Sequence, residues 1–225
     1  MRRRINGLGS LHRLLDMHDP TRAIAVVLAL KRMHRQQGRA QVQAVPLTQG
    51  ILEKLLEACS PGFDGQRNII LLHLGHETMR RCAELCEFRF DDLQTLATGK
   101  SILNMRFSKT DQYGEGWLIA ISPMLAGLIH SWGERIGREG YILRSVRQQG
   151  SGIGKQLSPS SINQILVKLQ MQAGLTLERN LSGHSFRVGA VVDMFLAGET
   201  MERIMLKGGW KSESTVMRYL RAMVV

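Results

Sequence analysis

GHSFRVGAVVDMFLAGETMERIMLKGGWKSESTVMRY, residues Gly183–Tyr219, carries the densest chemistry in this chain of 225 residues. His184 and Arg187 stand three positions apart, Trp210 follows two glycines, and Tyr219 comes nine residues later. Arg187 and Trp210 can grip a phosphate, the first as a charged fork and the second through its single N–H. His184 can move a proton and Tyr219 can attack. The apolar spacing and the glycines divide the stretch into a helix FRVGAVVDMFLAG, a short helix MERIMLK, a GGW turn and a helix STVMRYLRAM.

Outward from there the chain is mostly helical. Ser158-Pro159 opens a helix, SSINQILVKLQMQAG, which Gly174 ends. Before it, RSVRQQGSGIGKQLS is rich in glycine and carries Arg144, Arg147 and Lys155 without an acid, so it reads as a mobile basic loop. PMLAGLIHSWGERIG is a helix starting at Pro123. SILNMRF and WLIAIS alternate like strands, and SKTDQYGEG between them makes a hairpin connection, the only clear β unit. Further back, Thr48 caps a helix ILEKLLEAC that Ser60-Pro61-Gly62 breaks. QRNIILLHLGHE is apolar on most sides and reads as a central helix. In TMRRCAELCEFRFDDL, Cys82, Leu85 and Cys86 form an apolar stripe, leaving Arg81 and Glu84 on a neighbouring face. The fold class is mainly α with a small antiparallel β-hairpin.

The front of the chain reads differently. Residues 1–18 look irregular around an amphipathic LHRLLDM. Asp19-Pro20 marks a helix start, and TRAIAVVLALKRMHRQQ runs to about Gly38. RAQVQAVPL, residues 39–47, is a linker. The division is therefore residues 1–45, too short to fold alone by burial, and a main domain over 46–225.

The formal charge is +11. Residues 1–45 hold nine Lys and Arg against two Asp and Glu, a net +7. Such a surplus points to a polyanion, nucleic acid before an acidic membrane surface. No apolar run reaches the ~20 residues of a membrane span, and the basic start lacks the apolar core of a signal peptide. A cytoplasmic protein is expected. Cys59, Cys82 and Cys86 lack partners at zinc-ligand spacing and read as buried free thiols. His12, His18, His34, His73, His76 and His130 show no ligand spacing either.

Five features stand in order: Arg81-x-x-Glu84 in RCAEL, Lys109 in SKTDQ, His184-x-x-Arg187 in GHSFRVGA, Trp210 in GGWKS, and Tyr219. Together they resemble the catalytic domain of the tyrosine recombinases (phage integrase family). GHSFRVGAVVDM, IMLKGGW and Trp rather than His at 210 are most similar to the Cre-like branch, from a phage or mobile element. The resemblance implies DNA strand breakage and rejoining through a 3′-phosphotyrosyl link on Tyr219, with a free 5′-hydroxyl. Arg81 and Arg187 neutralise the nonbridging oxygens, which suits their forked, always charged donors. A free phenol ionises near pH ~10, so it needs a base or positive surroundings, and His184 is the residue for that. Lys109 protonates the leaving oxygen, Trp210 binds a phosphate oxygen, and Glu84 orients a catalytic group. Arg80 also competes for the first arginine's role, but the spacing to Glu84 favours Arg81. Ala83 stands where many relatives carry Ser.

The resemblance implies no cofactor or metal, because arginines and lysine supply the charge. It implies double-stranded DNA as partner and a homo-oligomer, a tetramer in the family. Residues 1–45 resemble only the last part of an N-terminal helical core-binding domain. LRAMVV after Tyr219 stands where relatives carry a further helix that docks on a neighbouring subunit, which weighs against ordered tetramer assembly. The phosphate-contact candidates are Arg39, Arg106, Arg144, Arg147, Lys155, Lys207 and Lys211. Two other readings are a noncatalytic DNA-binding remnant and a type IB topoisomerase-like relaxing activity.

Overall fold

The structure, a computed structural model, describes residues 2–38, 43–106, 116–147 and 152–221. The chain divides into two units, Met1–Val42 and Gln43–Val225. In the first, helix α1 covers Arg2–Leu14, where an irregular segment was expected. Ile5, Leu8 and Leu11 recur at helical spacing, while Gly7 and Gly9, poor helix formers, obscure the pattern. Asp19 accepts a hydrogen bond from the Thr21 N–H at 3.0 Å and pairs with Arg13 at 2.9 Å. It starts a single 3₁₀ turn, Pro20–Arg22, and helix α2 begins just after it, at Ile24–Gln37. No residue of α2 is buried.

The second unit opens with α3 (Gln49–Glu57) after Thr48 and α4 (Phe63–Thr78). Ile70, Leu71, Leu72 and Leu74 of α4 are fully buried, near-consecutive positions that bury the helix on most sides there. The short α5 (Cys82–Glu87) follows. Strands β1 (Leu93–Thr95), β2 (Ser101–Met105) and β3 (Trp117–Ile121) form an antiparallel sheet in that order, with Leu103 opposite both Leu93 and Ile119. The expected hairpin is β2–β3, and β1 is an addition to it.

Helices α6 (Pro123–Ile136) and α7 (Pro159–Gln172) both start at Ser-Pro. The Ser122 hydroxyl accepts from the Leu125 N–H at 3.1 Å, and Ser158 from Ser161 at 3.2 Å. Trp132 of α6 is wholly buried and donates its indole N–H to Ile142 O at 2.8 Å. The expectation of a mobile basic loop after Leu143 needs correction for its described parts. Arg147 N donates to Gly152 O at 3.0 Å, Gly154 N to Ser145 O at 2.7 Å, and Leu157 N to Leu143 O at 2.9 Å. Those backbone bonds tie both sides of the segment together.

Helix α8 (Gly183–Leu196) is buried from Ser185 to Val192 because it packs on two sides. Phe186 belongs to the main core with Leu71 and Trp132. Val188 and Val191 belong to a smaller core with Ile204, Val216 and Tyr219. Those last three come from α9 (Met201–Gly208) and α10 (Glu213–Leu220). The smaller core therefore fixes the tyrosine helix against the helix that carries His184 and Arg187.

Gly189 allows α8 to approach the entering chain. A Cβ there would lie 1.8 Å from Leu47 O, a backbone atom with no flexible end to yield. Gly189→Ala is expected to lower stability by about 1–3 kcal/mol, the usual range for overpacking. A denaturant melt checks it, and an unchanged midpoint would refute the close packing.

Candidate active site

Tyr219 sits seven residues into α10, with only 8% of its surface exposed. Gln43 Nε2 donates to its carbonyl at 2.8 Å, pinning the helix at that point. Its ring meets the His184 ring at 5.2 Å between centroids, edge on at 65°. It meets the Trp210 ring at 5.4 Å and 57°. Tilted and edge-on contacts are the arrangements that aromatic quadrupoles favour. Three of the four residues of the opening stretch are thus in ring contact, although α9 separates them in sequence.

The fourth, Arg187, lies beneath them and is 3% exposed. Its guanidinium carbon stands 4.6 Å from the Trp210 ring centroid, a cation–π distance. Its Nη1 donates to Met79 O and its Nη2 to Gly208 O at 3.3 Å. Burial draws its pKa down, and the Tyr219 hydroxyl opposes that shift. The GGW turn is shaped for this packing. A Cβ on Gly208 would lie 1.9 Å from the Trp210 ring, and Gly209 has φ +65°, where side chains other than glycine are strained.

Arg81 stands just before α5, and its side chain is 46% exposed. Its Nη1 donates to Glu84 Oε1 at 2.8 Å, and its backbone N–H to Glu84 Oε2 at 3.0 Å. Glu84 is buried, so one carboxylate both caps α5 and aims the arginine. Burial pushes the Glu84 pKa up. The Arg81 hydrogen bonds and the Arg81 and Arg80 charges outweigh that, leaving it below its ordinary value. His184, on the first turn of α8, keeps an exposed edge. Partial burial first, then the Arg187 and Arg81 charges, lower its pKa, which favours the neutral ring that can accept a proton.

Of the other expected site residues, Lys109 and Arg39 lie outside the described residues. Arg147, Lys155, Lys207 and Lys211 are exposed. Arg106 is exposed but its Nε pairs with Asp92 at 2.6 Å. Arg144 is placed otherwise than a free phosphate contact would be. It donates to the carbonyls of Ile136, Glu139 and Tyr141, because the end of α6 and the turn after it present acceptors to it. Arg80 is placed otherwise than Arg81: it is 4% exposed and bonded to Thr78 O and Lys207 O. Sequence reasoning had no signal for that burial, nor for Gln43. Among the described residues no three His, Cys, Asp or Glu gather as a metal site, and no helix is long and apolar enough to cross a membrane.

The sign of the His184 shift sets a pH window. A base whose pKa is lowered on folding stabilises the fold above the free-histidine value of ~6.5, and that contribution is lost as pH falls through the folded value. An NMR titration is expected to place the His184 midpoint below ~6.5. Arg81→Gln, by removing a nearby positive charge, is expected to raise it. A midpoint that stays put in the variant would show that the two groups do not communicate.

A model described as the phage integrase family matches residues 46–224. The recombinase Cre of Escherichia phage P1 is 27% identical over 235 residues, covering 95% of this chain and 68% of that protein. Among solved structures, the XerA recombinase superposes with a TM-score of 0.61 at 19% identity, over 97% of this chain and 72% of its own. The XerH site-specific recombinase in a post-cleavage complex with palindromic difH substrate gives 0.63 at 18% identity, over 80% of this chain and 50% of its own. A lambda integrase dimer bound to a COC′ core site gives 0.59 at 17%, over 87% and 70%. At those identities the structures speak for the fold, and the family model, which spans most of the chain, speaks for descent. With its arginines, histidine, tryptophan and tyrosine gathered on that fold, the chain belongs to the phage integrase family of site-specific DNA recombinases.

Proposed function

We propose that this chain cuts and rejoins double-stranded DNA at a specific site with Tyr219 as the nucleophile. The observation that carries the reading is the contact of the Tyr219 ring with both His184 and Trp210, above the buried Arg187. Arg81 and Arg187 take the nonbridging oxygens of the scissile phosphate and neutralise the charge that builds there in the transition state. Arg187 has five N–H donors; two serve carbonyls and one meets the Tyr219 hydroxyl, and the others are left for the phosphate. Glu84 holds Arg81 in place. The Trp210 indole, a donor only, adds one further hydrogen bond to the phosphate.

The Tyr219 oxygen forms a bond to phosphorus, and the bond from phosphorus to the 5′-oxygen breaks. His184, neutral near pH 7, receives the phenolic proton. Lys109 gives a proton to the departing 5′-oxygen. The 3′-phosphotyrosyl link keeps the phosphodiester energy, so a 5′-hydroxyl from a second strand reverses the step and completes exchange. No redox or hydrolytic co-reactant enters the balance. The complexes of XerH with difH and of lambda integrase with a core site support duplex DNA as the partner.

Residues 1–45 read as part of a helical core-binding domain, and the protein acts on DNA as a homo-oligomer in the cytoplasm. Arg147, Lys155, Lys207 and Lys211 serve as phosphate contacts, and so does the exposed side of Arg106, whose Nε is held by Asp92. Phosphate contacts set affinity and its salt dependence, not base choice.

Two experiments test this. With a nicked suicide duplex carrying the recombination site, the wild type is expected to leave a covalent protein–DNA band on a denaturing gel. Tyr219→Phe is expected to leave none while still binding DNA, and a covalent band from that variant would move the nucleophile elsewhere. Arg147→Ala is expected to weaken binding and to reduce the slope of log K against log salt by about 0.9, one phosphate contact. An unchanged slope would remove Arg147 from the interface.

A further inference from the structure

Two buried guanidiniums grip the same two chain segments. Arg80 Nε donates to Thr78 O at 2.7 Å and its Nη2 to Lys207 O. Arg187 donates to Met79 O and Gly208 O. The acceptors are consecutive carbonyls at the end of α4 and consecutive carbonyls at the end of α9. The last carbonyls of a helix lack intrahelical donors and lie at the negative end of its dipole, where a cation is favourable. In α9, the Gly209 and Trp210 N–H groups serve Leu206 O and Met205 O, so Lys207 O and Gly208 O are left for the two arginines.

Arg80 is an unexpected residue to bury. It is 4% exposed, and no carboxylate lies within ion-pair distance of it among the described residues. An apolar side chain would fill the position without the desolvation of a charge. Burial, then the Arg187 charge, draws its pKa down to about 10, so it stays protonated near neutral pH. It lines a cavity of about 150 Å³ together with Arg81, Glu84, Gly209 and Trp210. A Cβ on Gly209 would lie 3.2 Å from Arg80 Nη1, so the GGW turn rests directly on this guanidinium. Trp210, at the end of that turn, is the ring that touches both Arg187 and Tyr219.

We propose that Arg80 is a positioning residue for strand transfer, holding the α9–Trp210 turn against the segment that leads into Arg81. The inference rests on the reading of Tyr219 as nucleophile. Arg80 takes one carbonyl from each segment. The turn stays in place, and with it the indole that orders Arg187 and Tyr219.

The test measures single-turnover formation of the covalent adduct at saturating full-length protein, with DNA affinity and thermal melting in parallel. Arg80→Met is expected to slow adduct formation by about ten- to a hundredfold, as small misplacements of reacting groups do, with DNA affinity unchanged. Arg80→Lys keeps the charge but cannot reach both carbonyls, and is expected to fall between. In the double variant Arg80→Met/Trp210→Phe, the loss is expected to be no greater than that of the slower single variant, because both act through one turn. A wild-type rate from Arg80→Met, or multiplied losses in the double variant, overturns the proposal. Should Arg80→Met fail to melt cooperatively, Arg80→Lys decides by the same rate comparison, and a wild-type rate from it overturns the proposal. A wild-type protein that forms no adduct sinks the nucleophile reading itself. A wild-type adduct insensitive to Arg80 sinks this inference alone.

Discussion

Arg187 is a full charge that is 3% exposed and has no carboxylate within ion-pair distance among the described residues. A buried ion without acceptors is costly, so the surroundings must supply them. They come from the backbone: Met79 O where α4 ends and Gly208 O where α9 ends. That need shapes much else. It requires α4 and α9 to end beside α8, a glycine at 208 where the Trp210 ring lies, and a left-handed residue at 209. Neutral acceptors leave the guanidinium's charge uncancelled. An arginine matched to an aspartate would be cheaper to bury and a weaker ligand for phosphate.

The same economy of carboxylates runs through the site. Glu84 is the one acid paired with its arginines among the described residues, and it pairs with the exposed Arg81 rather than a buried one. It accepts the Arg81 backbone N–H as well, so it serves the first turn of α5 and the functional side chain together. The positive balance that results also acts on His184. Burial first, and then the nearby Arg187 and Arg81, make the imidazole hold a proton less readily, which suits the role proposed for it. One distribution of charge therefore serves both roles proposed for this site, phosphate binding and proton acceptance.

Packing contributes what charge cannot. Tyr219 is anchored by the smaller core of Val188, Val191, Ile204 and Val216, all wholly buried. That core joins α8, α9 and α10 into a unit, and the Gly189–Leu47 approach ties the unit to the entering chain. A tyrosine on a helix set by apolar contacts is placed more reproducibly than one on a loop, because a filled core resists displacement.

Much of this was legible in the residues. Ser122-Pro123 and Ser158-Pro159 announced α6 and α7 because a hydroxyl cap and a fixed φ act within one turn. The spacing of Arg81 and Glu84 announced their contact because an acid at the third helical position reaches back to the residue that caps the helix. The order of the motifs announced the family. Other features could not be read this way. β1 is three residues long, too short for any alternation, and exists because β2 offers it a ladder. Arg144 looked like a free cation until the end of α6 and the turn after it brought three carbonyls to it. Arg80, beside an equally charged Arg81, gave no sign that one would be buried and the other exposed. Caps, turns and periodic pairs are interactions among near neighbours, so the linear order contains them. Burial and the choice of acceptor depend on how the chain closes on itself, over a few residues for Arg144 and over more than a hundred for the Arg80–Lys207 and Arg187–Met79 bonds, and they arise only when the helices come together.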